Sequence, residues 1–384
     1  MNTKGLAYLI CALSAPVFIG CGNTETESHL AEAPDYRNNP AIMGVPYKKF
    51  SDMQSSAHLP DNRVPWSGYY WATYKGGSSY RWQSMRGNGY RDFLYNLESW
   101  TTIRQMSPYQ IDQLSPSEKY DLMKGDYQFS LTSQERRNML SSVSNGQIPT
   151  WYGLCHGWAP AAYMEEQPGP IATVTNPHGI RINFYSSDIK ALLIKHYGDT
   201  QVGTRFIGGR CNNQNVERDA QNRVISDACR DTNPATLHLV LENYIAHQKK
   251  SFVADVYSDY QVWNQPVTGY TSRSLNRRSL ASEPGYRYAA QGTSELIDIQ
   301  LTLYYINETS PSRYPVSPVT ASKNLSYTLE LDQWGYVIGG EWISEDRPDF
   351  LWELRRTPQT ADSGALDYQL LTQLNELSQR SLTN

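Results

Sequence analysis

Five apolar runs, each closed by polar turns, fill the C-terminal half of this chain: LHLVLENYIA (237–246), SFVADVY (251–257), SELIDIQLTLYYI (294–306), SYTLELD (326–332) and YVIGGEWI (336–343). Runs of this length, rich in β-branched and aromatic side chains and separated by short polar turns, commit the half to a mostly antiparallel sheet. Helices are signalled elsewhere. SPSEKYDLM (115–123) and LTSQERRNML (131–140) each place Glu within three residues of an opening Ser or Thr, close to a capping box, so residues 107–145 are predicted to be helical. SSDIKALLIKHY (186–197), apolar at 189, 192, 193 and 197, reads as an amphipathic helix. LDYQLLTQLNELSQR (366–380) reads as a helical, solvated end-cap. The aromatic, glycine-rich stretch 47–95 is expected to hold strand-like pieces broken by turns. No internal repeat is present, and the class is α+β.

With 39% hydrophobic and 12% aromatic residues, the 384-residue chain can bury a large core. A net charge of −4, with Lys and Arg scattered, excludes the basic stripe of a nucleic-acid binder. Twenty-eight Tyr and ten Trp suit strands and polymer-binding surfaces alike, so an anchored, noncatalytic polymer-binding protein stays open.

Lys4 followed by the apolar stretch 6–20 has the form of a secretory leader. Phe18 to Cys21 (FIGC) resembles a lipobox, which makes Cys21 the lipidated first residue, and Gly22 after it favours the outer membrane. The expected location is therefore exported: an outer-membrane lipoprotein, or a secreted or periplasmic protein. The layout is a leader (1–20), a polar tether (21–45), an N-terminal lobe or prosegment (46–145), a core (146–356) and a helical tail (357–384).

Export leaves three cysteines. Cys211 and Cys229 flank a hydrophilic loop and favour a disulfide in an oxidising compartment, worth about 3 kcal/mol in the chain-entropy model. Cys155 is left as a lone thiol within WYGLCHGWAP (151–160), between a loop and a helix start, where helix N–H groups favour a thiolate nucleophile. Such a nucleophile needs a base and a group that orients the base. Of the seven histidines, His238 is expected to open the strand HLVLENYI and to pair, across a short turn, with the stretch 255–259. Asp255 is the first choice to orient it, Asp259 the second and Asn264 the third. Gln147 is a weaker option as an oxyanion donor, beside the backbone N–H of Cys155.

The order Cys, His, Asp resembles the papain-like superfamily. VWNQPVTGY (262–270) resembles the core of the elicitor peptide in the secreted, calcium-dependent transglutaminases of oomycete plant pathogens, a family with relatives in marine bacteria. PWSGYYW (65–71), PSEKYDL (116–122), WYGLCHGWAPAA, the stretch CRDTNP with the following His238, and GGEW with RPDFLW extend the likeness from about residue 60 to residue 356. The resemblance implies a papain-like core with additional lobes, in which a helix bearing Cys packs on an antiparallel sheet bearing His and Asp. It implies a protein-glutamine γ-glutamyltransferase that acts on protein Gln and Lys side chains through Cys155, His238 and Asp255. Trp263 and Asn264 would contact substrate, and Trp263 with Pro266 would shield the thioester from water. Calcium is implied only by the likeness: ERDAQNRVISD (217–227) lacks EF-hand spacing, so no ligand is named, and no organic cofactor is expected. The alternative chemistry for the same residues is a papain-like peptidase or amidase acting on peptides or cell-wall crosslinks.

Overall fold

A computed structural model describes residues 34–381, apart from 87–90, 212, 214, 219–223, 227–228, 287 and 364–365. The leader and the lipidation motif lie outside the described residues. Among those described, no helix is long and apolar enough to cross a membrane.

In chain order the strands are β1 (Ser56–His58), β2 (Ile171–Thr175), β3 (Arg181–Tyr185), β4 (Thr204–Gly208), β5 (Val253–Asp255), β6 (Asn264–Ser279), β7 (Glu295–Ile306), β8 (Thr320–Leu331), β9 (Val337–Trp342) and β10 (Phe350–Leu354). The helices are α1 (Trp100–Ile103), α2 (Pro108–Asp112), α3 (Pro116–Met123), α4 (Ser130–Ser141), α5 (Cys155–Met164), α6 (Ser186–Gly198), α7 (Pro234–Leu241), α8 (Thr360–Ser363) and α9 (Tyr368–Arg380). The main sheet runs β4-β10-β5-β6-β7-β8-β9, with β1 added alongside β6, while β2 and β3 form a separate hairpin. Every pairing is antiparallel. The sixteen-residue β6 is the spine: its first residues pair with β5, its middle with β1, and β7 follows its other edge.

Four of the five apolar runs become strands, and the first does not. Residues 234–241 form α7, continued by a π-helical turn over 242–248. The reason is local. Asn233 accepts hydrogen bonds from the N–H groups of Ala235 and Thr236 and Pro234 sits in the first turn, a cap-and-proline start that the DTNPAT turn conceals in sequence. Every residue of α7 is buried, so the run carries no periodicity to separate helix from strand. It packs on β8 and β9.

Of the two predicted capping boxes the first forms: Ser115 accepts from the Glu118 N–H, and the Glu118 carboxylate accepts from the Ser115 N–H at 3.0 Å. The second does not, because α4 starts at Ser130 after Phe129, which makes no side-chain cap. Stretch 47–95 differs from expectation, with β1 its one strand among the described residues and the rest 3-10 turns and extended chain. Its aromatics fill the interior instead, Trp66 and Trp71 packing with Trp158 of α5. Helix α6 is buried from Ser186 to Tyr197, a central rather than an amphipathic helix. Two of its charges are paired inside the protein, Asp188 with Lys119 at 2.7 Å and Lys195 with Glu135 at 2.6 Å, while Lys190 donates to the Ser67 carbonyl at 2.7 Å. Helix α9 is more than a cap, since Leu371 and Leu374 enter the same core as α3 and β3.

Helix α5 is held against α6 by Gly157. A Cβ there would lie 2.1 Å from the Ile194 carbonyl oxygen, so only glycine allows this approach. The contact fixes where the N-terminus of α5 ends, against the first residues of β6.

Candidate active site

Cys155 is the first residue of α5 and is buried. The preceding turn is pinned by the Leu154 N–H, which donates to the Tyr70 carbonyl at 2.6 Å. Gly153 lies so close to Tyr70 that a Cβ would come within 2.4 Å of its ring. Among the described residues, Asn264 and Val262 are the polar neighbours of the sulfur. The Asn264 amide nitrogen donates to it at 3.5 Å, and the thiol reaches the Val262 carbonyl at 3.7 Å. The orientation of Asn264 is set from behind, because Trp352 of β10 donates its indole N–H to Asn264 Oδ1 at 2.8 Å. With its oxygen so engaged, the amide must present NH2 to the sulfur.

Asp255 stands directly across the β5–β6 pair from Asn264, so the two side chains leave the sheet on the same face. Its Oδ1 accepts the Trp263 N–H at 2.9 Å, and its Oδ2 is buried with no partner. Burial pushes this carboxyl up to about 7. The thiol is pushed up to about 11, first by burial, against which the Asn264 amide works, and further by the charges of Glu308 and Asp255. The resting group is thus a neutral thiol, where the helix start alone predicts a thiolate. Glu308 accepts from Gln265 Nε2 at 2.9 Å. The Trp263 ring leans on Tyr70, with centroids 5.9 Å apart, and Pro266 is buried in β6 opposite Val253.

His238 is not in this site. It lies in α7 rather than in a strand paired with β5, its Nδ1 shares a 2.7 Å hydrogen bond with the Tyr327 hydroxyl, and its Nε2 is buried without a partner. Neither nitrogen reaches the sulfur. Burial pulls this imidazole down to about 4, so it is a neutral core group. The expected Cys155–His238 contact therefore gives way to Cys155 and Asn264 with Asp255 alongside. Asp259 is exposed and caps its own turn by accepting the Gln261 N–H at 2.8 Å. Gln147 is exposed and bridges Ser144 through backbone. His156 points away from the thiol, packing against Gly198. Sequence reasoning missed Tyr70 and Trp352 as site residues. Trp352 lies inside a quoted motif.

The Cys211–Cys229 disulfide is formed. Among the described residues no three acidic, histidine or cysteine side chains converge to hold a metal ion. Two buried aspartates behind Asp255 come nearest in composition, but Asp231 is bonded to Arg347, and Asp349, pushed up to about 10 by burial and by Asp231, keeps its proton. Among the described residues no set of ligands converges on a calcium site. A cavity of about 770 Å³ opens at the opposite end of α5, lined by Arg63, Trp66, Met164, Glu165 and Lys250, and the thiol is not in its wall.

A profile described as "Transglutaminase elicitor" matches residues 47–381. Among solved structures, the crystal structure of the GP42 transglutaminase from Phytophthora sojae superposes with a TM-score of 0.65. The two sequences are 24% identical, and the superposition covers 90% of this chain and 99% of that one. No curated protein matches the sequence. The profile covers both walls of the site, the helix bearing Cys155 and the strands bearing Asp255 and Asn264, and on that extent the chain belongs to the transglutaminase elicitor family.

Proposed function

We propose that this protein is a protein-glutamine γ-glutamyltransferase with Cys155 as nucleophile. The observation that carries the reading is the Asn264 amide aimed at a sulfur on the first residue of a helix, within a chain of this family. The proposed core is papain-like in plan: a helix-borne cysteine set against an antiparallel sheet. Asn264, with Asp255 alongside, takes the place beside the sulfur that was expected for His238.

As a glutamine carboxamide enters, the thiol proton passes to the bare Oδ2 of Asp255 and the sulfur bonds the carboxamide carbon. The oxygen that becomes negative is held by the Cys155 N–H at the helix start and by the Asn264 amide. Collapse breaks the C–N bond, Asp255 returns its proton to the leaving nitrogen, and ammonia departs, leaving a thioester. A carboxyl near neutrality suits this, since it can accept and return a proton at working pH. Trp263 and Tyr70 flank the thioester and limit water, so that a lysine amine of a protein substrate competes for it.

The test is product analysis. The full chain, given a glutamine donor peptide and a labelled primary amine, should yield ammonia and the amide conjugate, and Cys155→Ser should yield neither. Donor that is only cleaved or deamidated would make the protein a cysteine hydrolase instead.

A further inference from the structure

Cys155 is 6% exposed, too little for the carboxamide of a peptide to reach its sulfur unless part of its cover moves. The cover has two sides. One is the turn 149–154, tied down by the Leu154 N–H to the Tyr70 carbonyl, the Thr73 N–H to the Tyr152 carbonyl at 2.8 Å and the Tyr70 hydroxyl to the Thr150 carbonyl at 2.9 Å. The other is the connection 256–263 between β5 and β6, whose two ends meet where Asp255 pairs with Asn264. Both ends are anchored. Lys323 donates to the Val256 carbonyl and lies over the Tyr257 ring, 3.7 Å from its centroid, while Trp263 is held by Asp255 Oδ1 and by the Tyr70 ring. The stretch 258–262 between them is held more lightly. Gln261 bonds to Asp259 and Trp263, within the connection itself, and the Ser258 hydroxyl donates to the Glu345 carbonyl at 3.4 Å. Val262 rests its side chain against the core around Trp158 and its carbonyl on the thiol, and the Tyr260 ring meets Trp151 edge-on at 6.0 Å. Both of those rings are half-buried.

We infer that 256–263 is a strap closed over Cys155 in the resting protein, that the Tyr260–Trp151 contact is its latch, and that a glutamine donor enters by parting these two rings. The anchoring decides which side moves. A segment with few bonds to the rest of the chain opens at a small fraction of the cost of global unfolding, whereas the turn 149–154 is pinned at three points. Lifting 258–262 breaks the Val262 contact with the thiol and frees the sulfur, and Asp255 and Asn264 stay in place because they belong to the paired strands. Reclosing over the thioester then limits water. This last use rests on the proposed transamidation; the strap and its latch do not.

The experiment follows alkylation of Cys155 by iodoacetamide in the folded full chain at a single pH, read by mass spectrometry of the peptide that carries it. Tyr260→Ala should raise the rate about three- to tenfold, the shift in opening that the loss of one aromatic pair produces, and Tyr260→Phe, which keeps the ring, should stay close to wild type. On the unmutated protein, amide hydrogen exchange should be faster in 258–262 than in 150–154 or 264–270, a readout independent of how the variants fold. An alkylation rate unmoved by Tyr260→Ala, or exchange in 258–262 as slow as in both neighbours, would overturn the strap. With a glutamine donor peptide and a labelled amine, Tyr260→Ala should also raise the ratio of deamidated to conjugated donor, and an unchanged ratio would overturn the reclosure. A wild-type chain that forms no conjugate would overturn the transamidase reading and leave the strap to stand or fall on alkylation and exchange.

Discussion

Replacing Asp255 by Asn separates the chemistry of the site from its stability, and the two should move in opposite directions. The carboxyl is fully buried, and its proton affinity is raised from the ordinary 3.8 to about 7. The folded chain therefore binds a proton more tightly than the unfolded chain does, so stability falls as pH rises through that window. Below it both states are protonated and nothing is lost. Above it the fold carries a buried carboxylate whose ionisation spans about three pH units at 1.36 kcal/mol each, or about 4 kcal/mol. Asn keeps an oxygen for the Trp263 N–H and carries no charge. Asp255→Asn should thus equal wild type in stability near pH 4 and exceed it by up to about 4 kcal/mol near pH 9. Asp349 sharpens the effect, because the Asp255 charge is one reason it holds its proton. The assay is urea denaturation of both proteins across that range, alongside ammonia release from a glutamine donor, which the variant should lose. A stability difference that does not change with pH would mean that Asp255 is not the buried proton carrier required here.

Three further expectations follow from the same geometry. Iodoacetamide should label Cys155 of the folded chain more slowly than the denatured chain at neutral pH, its rate climbing with pH toward about 11; a plateau at or below the ordinary thiol value of 9.0 would contradict a neutral resting thiol. His238→Ala should lower stability by about 2 kcal/mol or more while the folded fraction keeps its turnover, and loss of turnover without unfolding would restore His238 to the site. In the wild type this imidazole, pulled from 6.5 down to about 4, should cost stability as pH falls through that interval, by about 3 kcal/mol in all, and His238→Ala should flatten this acid limb in a denaturation series. Gly157→Ala drives a methyl into the Ile194 carbonyl, so it should cost about 1–3 kcal/mol in a thermal or urea melt and reduce turnover by shifting Cys155; a variant normal in both would remove the α5–α6 contact as the positioning device.

What was legible in the sequence was what local chemistry decides. The Ser115–Glu118 box, the strands β5 and β7 to β9, the helix start at Cys155 and the disulfide depend on neighbours close along the chain, and the structure carries each of them. Residues 237–246 failed because a helix buried on all sides and a buried strand look alike, and the deciding signal, Asn233 with Pro234, serves a turn as well as a helix start. That one misreading moved the predicted base, since His238 had neighbours in the site only if it lay in a strand.

The partner of the sulfur was in view throughout as the third option for the orienting group. What raises Asn264 to first place is not local. Its amide faces Cys155 because Trp352, from a strand almost ninety residues away, holds the other end, and because Gly157 lets α5 settle against α6. Two contacts between residues far apart along the chain therefore aim a third. The site should accordingly be more sensitive to Trp352→Phe, which keeps the ring and removes the N–H, than the half-buried Trp263 is to the same change. With Trp352 silent the Asn264 amide is free to turn its oxygen toward the sulfur, which would remove a donor from the place where negative charge develops and lower kcat more than it raises KM. Equal effects of the two substitutions on kcat, in correctly folded variants, would show that the amide is aimed by something other than Trp352.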